Sequence, residues 1–227
     1  MATSATYAFN PSLSSLTAFA LGRCGIRRSS IEMQHITDAA MAANLVLQSW
    51  GNDQPNLWEV VLTSVALTVG QQVVVCPAET VLVTDAYLTL TANGVSTNRI
   101  ILQIGRSEFA AYPTPLTQAQ PTVFWFDRVL PPTISLYPTP NAVMTLNYYR
   151  VRQIQDAAFA SGTALDLPGR FLMAFVDGLS AELALIYAPG VAGVLAAKAG
   201  ASKMAADMQD RENVSLFITP GISGYYR

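Results

Sequence analysis

The sequence predicts an α+β fold in which helices from both ends of the chain form one bundle around an inserted, mostly antiparallel β domain. Apolar residues recur at helical spacing near both ends, whereas between Leu57 and Arg152 the hydrophobic pattern has a period of two residues. With 227 residues, 51% of them hydrophobic, the chain has ample material for such a core. We assign residues 1–56 and 157–212 to the helical bundle, 57–156 to the β domain and 213–227 to an extended C-terminal tail.

Two helices are predicted in the N-terminal part. Asn10 followed by Pro11 is typical of a helix start, with Asn as the cap and Pro at the first position. Ser29 and Glu32 have the spacing of a capping box, which predicts a second helix running to about Trp50. The polar turn GNDQPN follows and closes this αα unit.

The middle of the chain is predicted to form six to eight strands. Asn93-Gly94 indicates a hairpin between strands at 81–92 and 98–104, and residues 95–97 are expected in its loop. Ser107 with Glu108 is expected to cap a single helical turn. These signals favour local antiparallel pairing.

A second hairpin is predicted in QPTVFWFDRVLPPTISLYPTP, from Gln120 to Pro140. An aromatic run is followed by a break at Pro131-Pro132 and then by a returning apolar strand. Its aromatic side chains would fill a core in the simplest interpretation. A last strand is expected over residues 142–152.

Helices return after Asp166, which is predicted to cap the first of them. Large apolar residues then follow at i+4 steps as far as Tyr187. Pro189-Gly190 separates this helix from a final one that ends near Arg211. The final helix is rich in Ala and Gly, a composition that permits close approach by another helix.

Charged residues are scarce in this chain. Lys, Arg, Asp and Glu make up 12% of the residues, whereas about 25% is usual for soluble domains. A folded monomer of 24.3 kDa exposes about 10,000 Å², so its surface is thinly charged. We therefore expect neighbouring chains to cover much of that surface. The formal net charge of −2 excludes a strongly basic nucleic-acid-binding surface.

Membrane insertion and secretion are not expected. Asp177, Glu182 and Pro189-Gly190 interrupt the most apolar segment, and its longest uncharged piece, residues 183–197, is shorter than the roughly 20 residues that a membrane span needs. The first seven residues do not have the pattern of a secretory leader. Cys24 and Cys76 are isolated, which fits synthesis in a reducing cytoplasm.

No cofactor is expected, because a single histidine, His35, and two isolated cysteines cannot supply the ligands of a zinc site. Two other classes of function stay open. One is a hydrolase with its site in the β domain, which would need two carboxylates that meet, and the candidates there are Asp85, Glu108 and Asp127. The other is a β-rich ligand-binding module with a helical oligomerisation part.

Three segments together resemble one protein family. FNPSL near the N-terminus, the aromatic hairpin and the C-terminal ISGYYR are similar to the head-to-tail adaptor (connector, or tail accessory) proteins of short-tailed bacteriophages. The resemblance implies a non-enzymatic virion protein, made in the host cytoplasm, that forms a homo-oligomeric, dodecameric ring between the portal and the tail nozzle. It also implies tail-fibre proteins as possible neighbours and double-stranded DNA that passes the channel without specific binding. Retention of packaged DNA would be part of the function.

Three sets of residues are candidate interaction sites. The resemblance implies that the tail binds the portal, although docking on its own subunit stays open; its anchors would be Phe217, Ile218, Ile222, Tyr225, Tyr226 and Arg227. The basic turn of Arg23, Arg27 and Arg28 is either a solvated loop or a contact with an acidic partner face. Trp125, Asp127 and Arg128 in the aromatic hairpin form either a turn with an internal ion pair or a contact that sets the register with a neighbouring subunit.

Overall fold

The computed structural model describes residues 9–53, 57–92, 94–114, 116–159 and 164–211. Helices lie at both ends of the chain, and a mostly antiparallel sheet lies between them. The α+β class is therefore confirmed. The domain boundaries stay a prediction, and the predicted tail, residues 213–227, lies outside the described residues.

The two N-terminal helices are α1, Leu13–Arg23, and α2, Met33–Asp53. The predicted start of α1 at Asn10-Pro11 is wrong by two residues. Ser12 is the N-cap instead, and its carbonyl oxygen accepts hydrogen bonds from the N–H groups of Ser15 and Leu16. Helix α1 therefore begins where the apolar spacing begins.

The capping box predicted at Ser29 is also wrong. Residues Arg28–Ser30 form a short 3-10 turn, and Glu32 immediately precedes α2. The backbone N–H of Glu32 donates a hydrogen bond of 3.0 Å to Nδ1 of His35. A histidine ring thus satisfies the orphan N–H that a capping-box carboxylate would satisfy.

The C-terminal helices are α4, Leu172–Tyr187, and α5, Pro189–Gln209, and a 3-10 turn at Gly169–Phe171 precedes α4. The predicted break at Pro189 is confirmed. The predicted cap at Asp166 is wrong, because its carboxylate accepts hydrogen bonds from the guanidinium of Arg152. The predicted apolar stripe is confirmed by four residues that are 0% exposed: Phe171, Phe175, Leu179 and Leu183.

Helix α4 is the centre of the helical part, and α1, α2 and α5 all pack against it. The ring of Trp50 from α2 lies edge-on to Phe175, with ring centroids 6.4 Å apart. Gly178 permits the close approach of α2, because a Cβ atom there would lie 3.2 Å from Cγ1 of Val46. The helical core is therefore assembled around one largely buried helix.

The strands between the helices are β1 Val60–Leu67, β2 Val73–Val75, β3 Thr80–Ala92, β4 Val95–Gln103, β5 Gln118–Ala119, β6 Val123–Asp127, β7 Thr133–Tyr137, β8 Thr139–Pro140 and β9 Met144–Arg152. Seven of them form one sheet in the order β1-β9-β3-β4-β6-β7-β2, and β5 and β8 form a second, two-stranded sheet. All pairs in the large sheet are antiparallel except β4 with β6.

The two predicted hairpins are present, with one correction. Val95 pairs with Ala92, so residues 95–97 belong to strand β4 and not to the loop. The aromatic hairpin is confirmed as β6 and β7, in register from Val123 opposite Tyr137 to Asp127 opposite Thr133. The two-residue strands β5 and β8 are missed by the sequence pattern because they are too short to show a period.

Side chains of the large sheet alternate between a buried core face and an outer face. Phe124 and Phe126 lie in the core, 1% and 7% exposed. Trp125 points to the other face, where its ring packs against Phe109 at a centroid distance of 5.6 Å. Phe109 lies in the short helix α3, Arg106–Ala110, so α3 covers part of the outer face of β6.

Polar contacts join the helical part to the β part. Nη2 of Arg152, at the end of β9, donates a hydrogen bond of 2.8 Å to Asp166. Asp210, which caps α5, accepts a bond of 2.7 Å from the N–H of Leu57 and also pairs with Arg170. The turn that precedes β1 and the end of the last helix are thereby fixed to each other at this junction.

Candidate functional site

The basic turn after α1 divides into one arginine that is engaged within the chain and two that are not. The guanidinium of Arg23 pairs with the carboxylate of Asp177 in α4 and also lies 4.8 Å from the ring centre of Phe19. Arg27 and Arg28 are exposed and make no ion pair with any described residue. The turn therefore presents two available cations, and the interface role of all three arginines stays a prediction.

Asp177, which interrupts the most apolar segment of the sequence, is a buried carboxylate. Its side chain is 1% exposed, and its Oδ1 atom contacts both Arg23 and, at 3.5 Å, Nζ of Lys198 in α5. Its Oδ2 atom has no hydrogen-bond partner among the described residues. Because these contacts join α1, α4 and α5, Asp177 holds three helices together. Its isolation in the apolar sequence of α4 was the available signal.

Arg27 and Arg28 border a shallow depression of about 450 Å³ at the end of α1. Gly22, Gly25 and Ile26 line it, together with Phe19. A depression with two unpaired guanidinium groups suits a carboxylate-bearing partner better than an apolar one.

An apolar groove lies between α1 and α4, on the other side of Phe19. Its volume is about 580 Å³. Phe9, Phe19 and Met173 line it and are 80%, 52% and 57% exposed, while Leu16 and Leu172 form its floor. We call this surface the α1–α4 groove. Contiguous exposed apolar surface of this kind is typical of an interaction site.

The aromatic hairpin places its candidate residues differently from one another. Trp125 is half-buried against α3, whereas Arg128 is exposed at the turn. Asp127 forms no ion pair with Arg128 or with any other residue in the described ranges. The structure thus lacks the internal ion pair considered for this turn, and the subunit contact stays a prediction.

The turn itself exposes apolar side chains. Leu130 is 89% exposed and Val129 is 48% exposed. The carbonyl oxygen of Pro132 accepts a hydrogen bond of 2.8 Å from the N–H of Cys76, which ties the turn to the end of β2. We call residues 128–131 the hairpin tip. The sequence predicted Arg128 in this tip and Trp125 and Asp127 just before it as contact residues, and it did not reveal the exposed apolar side chains of Val129 and Leu130.

The predicted tail anchors lie outside the described residues: Phe217, Ile218, Ile222, Tyr225, Tyr226 and Arg227. The described chain approaches them through Asp210, which is held by Arg170 and Leu57. Asp210 thus lies at the junction between the helical part and the β part.

A cleft of about 340 Å³ at the junction is the best candidate for the alternative of a hydrolase. Glu79 and Asp156 line it. The backbone N–H of Glu79 and the guanidinium of Arg150, 2.9 Å away, hold the pKa of Glu79 below its usual range. A general acid needs a carboxyl group whose pKa is raised, so this cleft does not have the electrostatics of a glycosidase.

The other unusual titratable groups are structural. Burial raises the pKa of Tyr148 above its ordinary value, with the neighbouring thiol of Cys76 as a smaller cause. Tyr187 donates a hydrogen bond to Asp38, which raises the pKa of the phenol, and its ring lies 4.8 Å from that of His35. Within the described part of the chain, no three His, Cys, Asp or Glu side chains are grouped so that they could hold a metal ion.

The site geometry is therefore that of an interaction protein, with an apolar groove, an exposed apolar tip and two arginines that form no ion pair with a described residue. One family of known proteins, described as SU10 adaptor protein, matches residues 12–222. The chain belongs to the SU10 adaptor protein family. It is a structural adaptor protein of a phage, a neck or tail component of the virion, and the family is a non-enzymatic one.

The match extends over the helical part, the β part and the first ten residues of the predicted tail. No curated protein matches the sequence closely. Across the described ranges, no helix is both long enough and apolar enough to cross a membrane.

Proposed function

We propose that this adaptor forms a ring that joins the portal to the tail nozzle of a short-tailed phage and helps to retain the packaged DNA. The family match over residues 12–222 is the observation that carries the proposal. Portal and tail proteins are the partners that such an adaptor would contact. A ring repeats every subunit contact, so moderate individual interfaces give a nearly permanent joint.

The low charge content supports burial of much of the surface in an assembly. The exposed apolar residues of the α1–α4 groove and of the hairpin tip are of the kind that subunit interfaces cover. The net charge of −2 suits a channel through which DNA passes without binding. Strong retention of DNA by the purified ring would contradict this part of the proposal.

We further propose that the tail attaches the ring to the portal. Phe217, Tyr225 and Tyr226 are aromatic anchors of the type that dominates many interfaces. Removing residues 214–227 is expected to leave the fold intact and to abolish attachment to the portal.

The experiment is negative-stain microscopy of the purified adaptor mixed with the portal of the same phage. Full-length protein should add a ring to the portal, and the truncated protein should not, although its melting temperature is unchanged. Full-length protein that never associates with the portal would refute the proposed function. Attachment by the truncated protein would refute only the role of the tail.

A further inference from the structure

We propose that the hairpin tip of one subunit docks in the α1–α4 groove of a second copy, and this inference rests on the proposed ring. The tip offers two adjacent apolar side chains, Leu130 and Val129, on a turn that is fixed by strands β6 and β7. The groove offers an apolar cavity of about 580 Å³ that no described residue fills. Burial of the tip there would remove both apolar surfaces from water.

Charge complementarity supports the same pairing. The depression that holds the exposed Arg27 and Arg28 shares Phe19 with the groove, so the two cations lie beside it. Asp127 lies three residues before Leu130 and makes no ion pair among the described residues. With the tip in the groove, Asp127 faces the two arginines, and Arg128 turns away from them.

A second copy fits this arrangement because the tip and the groove are different surfaces of the same chain. A contact between two different surfaces is heterologous, and its repetition produces a closed ring when the rotation closes. Each subunit has one tip and one groove, so every tip and every groove is occupied in a closed ring.

The test uses two single-cysteine additions, Leu130→Cys at the tip and Met173→Cys in the groove. Each variant is treated with a short bismaleimide crosslinker, alone and mixed 1:1, both free in solution and assembled on the portal. The native Cys24 and Cys76 are buried, at 8% and 3% exposure, so the unmodified protein is the background control.

The expected result is a crosslinked dimer in the mixture, at least about tenfold more abundant than in either variant alone. Absence of the mixed dimer in rings that are visible on the portal would overturn the docking and leave the proposed function standing. Crosslinking of Met173→Cys to a Phe217→Cys within one chain would also overturn it, because the tail of the same subunit would then occupy the groove.

The charge pairing is tested in the same assay. In the Met173→Cys partner, Arg27→Gln with Arg28→Gln is expected to reduce the mixed dimer about tenfold at low salt, and Asp127→Asn in the tip partner should act similarly. Arg128→Gln is the matched control and should not reduce the yield. Equal losses from Asp127→Asn and Arg128→Gln would refute this orientation of the tip.

Discussion

The helical part and the β part use their carboxylates differently. In the helical part, Asp177 and Asp210 are 1% and 8% exposed, and each pairs with an arginine from another segment. In the β part, Glu59 is buried at 2% exposure, and Glu79 pairs with an arginine but is half-exposed. Glu108 is exposed and Asp127 is partly exposed, and neither forms an ion pair with a described residue. The helical part therefore uses Asp177 and Asp210 to hold its own elements together. Apart from the buried Glu59, these carboxylates of the β part are accessible to solvent or to partners.

This difference matters because the chain has so little charge. Ion pairs between described residues engage eleven charged side chains of a chain that has only 13 basic and 15 acidic residues. The surface left to solvent is consequently even less charged than the composition indicates. A helical surface of this kind, with an apolar groove beside two free arginines, is suited to contact with another protein.

Of the substitutions that test this difference between the two parts, Asp177→Ala should have the largest effect on stability. It leaves Arg23, whose side chain is 16% exposed, and the half-exposed Lys198 without their carboxylate. The free energy of unfolding is expected to fall by about 3 kcal/mol, because a largely buried ion pair that joins three helices is broken. Thermal unfolding should show a fall in melting temperature of about 10 °C. Glu182→Ala is the control on the same helix, since Glu182 is exposed, and should change stability by less than about 0.5 kcal/mol. Equal effects of the two variants would contradict the structural role of Asp177.

Arg150→Met tests whether the β part resists the loss of an ion pair better. The guanidinium of Arg150 donates hydrogen bonds of 2.9 Å to Thr63 and Glu79 and one of 3.4 Å to Thr80. Because Glu79 is half-exposed and can be resolvated, the expected loss is about 2 kcal/mol, smaller than that of Asp177→Ala. Urea unfolding measures both, and a larger loss for Arg150→Met would reverse the comparison.

The sequence predicted features that depend on local spacing, but it did not predict contacts between distant segments. The stripe through Phe171 and Phe175 was predictable because spacing along one helix decides which side is buried. The partner of Asp177 was not, because Arg23 lies 154 residues away and only the packing of α1 on α4 brings them together. Local pattern likewise could not reveal the α1–α4 groove, which Phe9 and Met173 border from distant parts of the chain.

In the sheet, too, contacts between neighbours in sequence were predictable, and contacts between distant segments were not. Both hairpins were predictable from turn residues and alternation, since their strands are neighbours in sequence. The parallel pairing of β4 with β6 was not, because no local signal specifies it. The hairpin tip lies between these cases: its turn was predictable, but the exposure of Leu130 was not.

The contribution of the Arg152–Asp166 ion pair, at the junction between the two parts, can be measured from the pH dependence of stability. Hydrogen bonds from Arg152 hold the pKa of Asp166 below its ordinary value of 3.8. A carboxyl group whose folded pKa is lowered contributes stability that is present above the unfolded pKa and is lost as the pH falls through the folded pKa. Asp166→Asn should therefore cost about 1 kcal/mol at pH 7 and little at pH 2. Melting curves of both proteins between pH 2 and 7 should converge at the acid end, and parallel curves would exclude this contribution.

The smallest effect on stability is expected for Asp127→Asn, which removes a partly exposed charge from the β part. Asp127 is opposite Thr133 at the last pair of the aromatic hairpin and has no ion pair with a described residue, so its charge adds little to the fold. The free energy of unfolding should change by less than about 0.5 kcal/mol. The same substitution should weaken subunit contacts if its carboxylate faces the arginines of a neighbour. A loss of stability above about 1 kcal/mol in the isolated protein would show that Asp127 serves the fold, and the contrast between the two parts would then no longer hold.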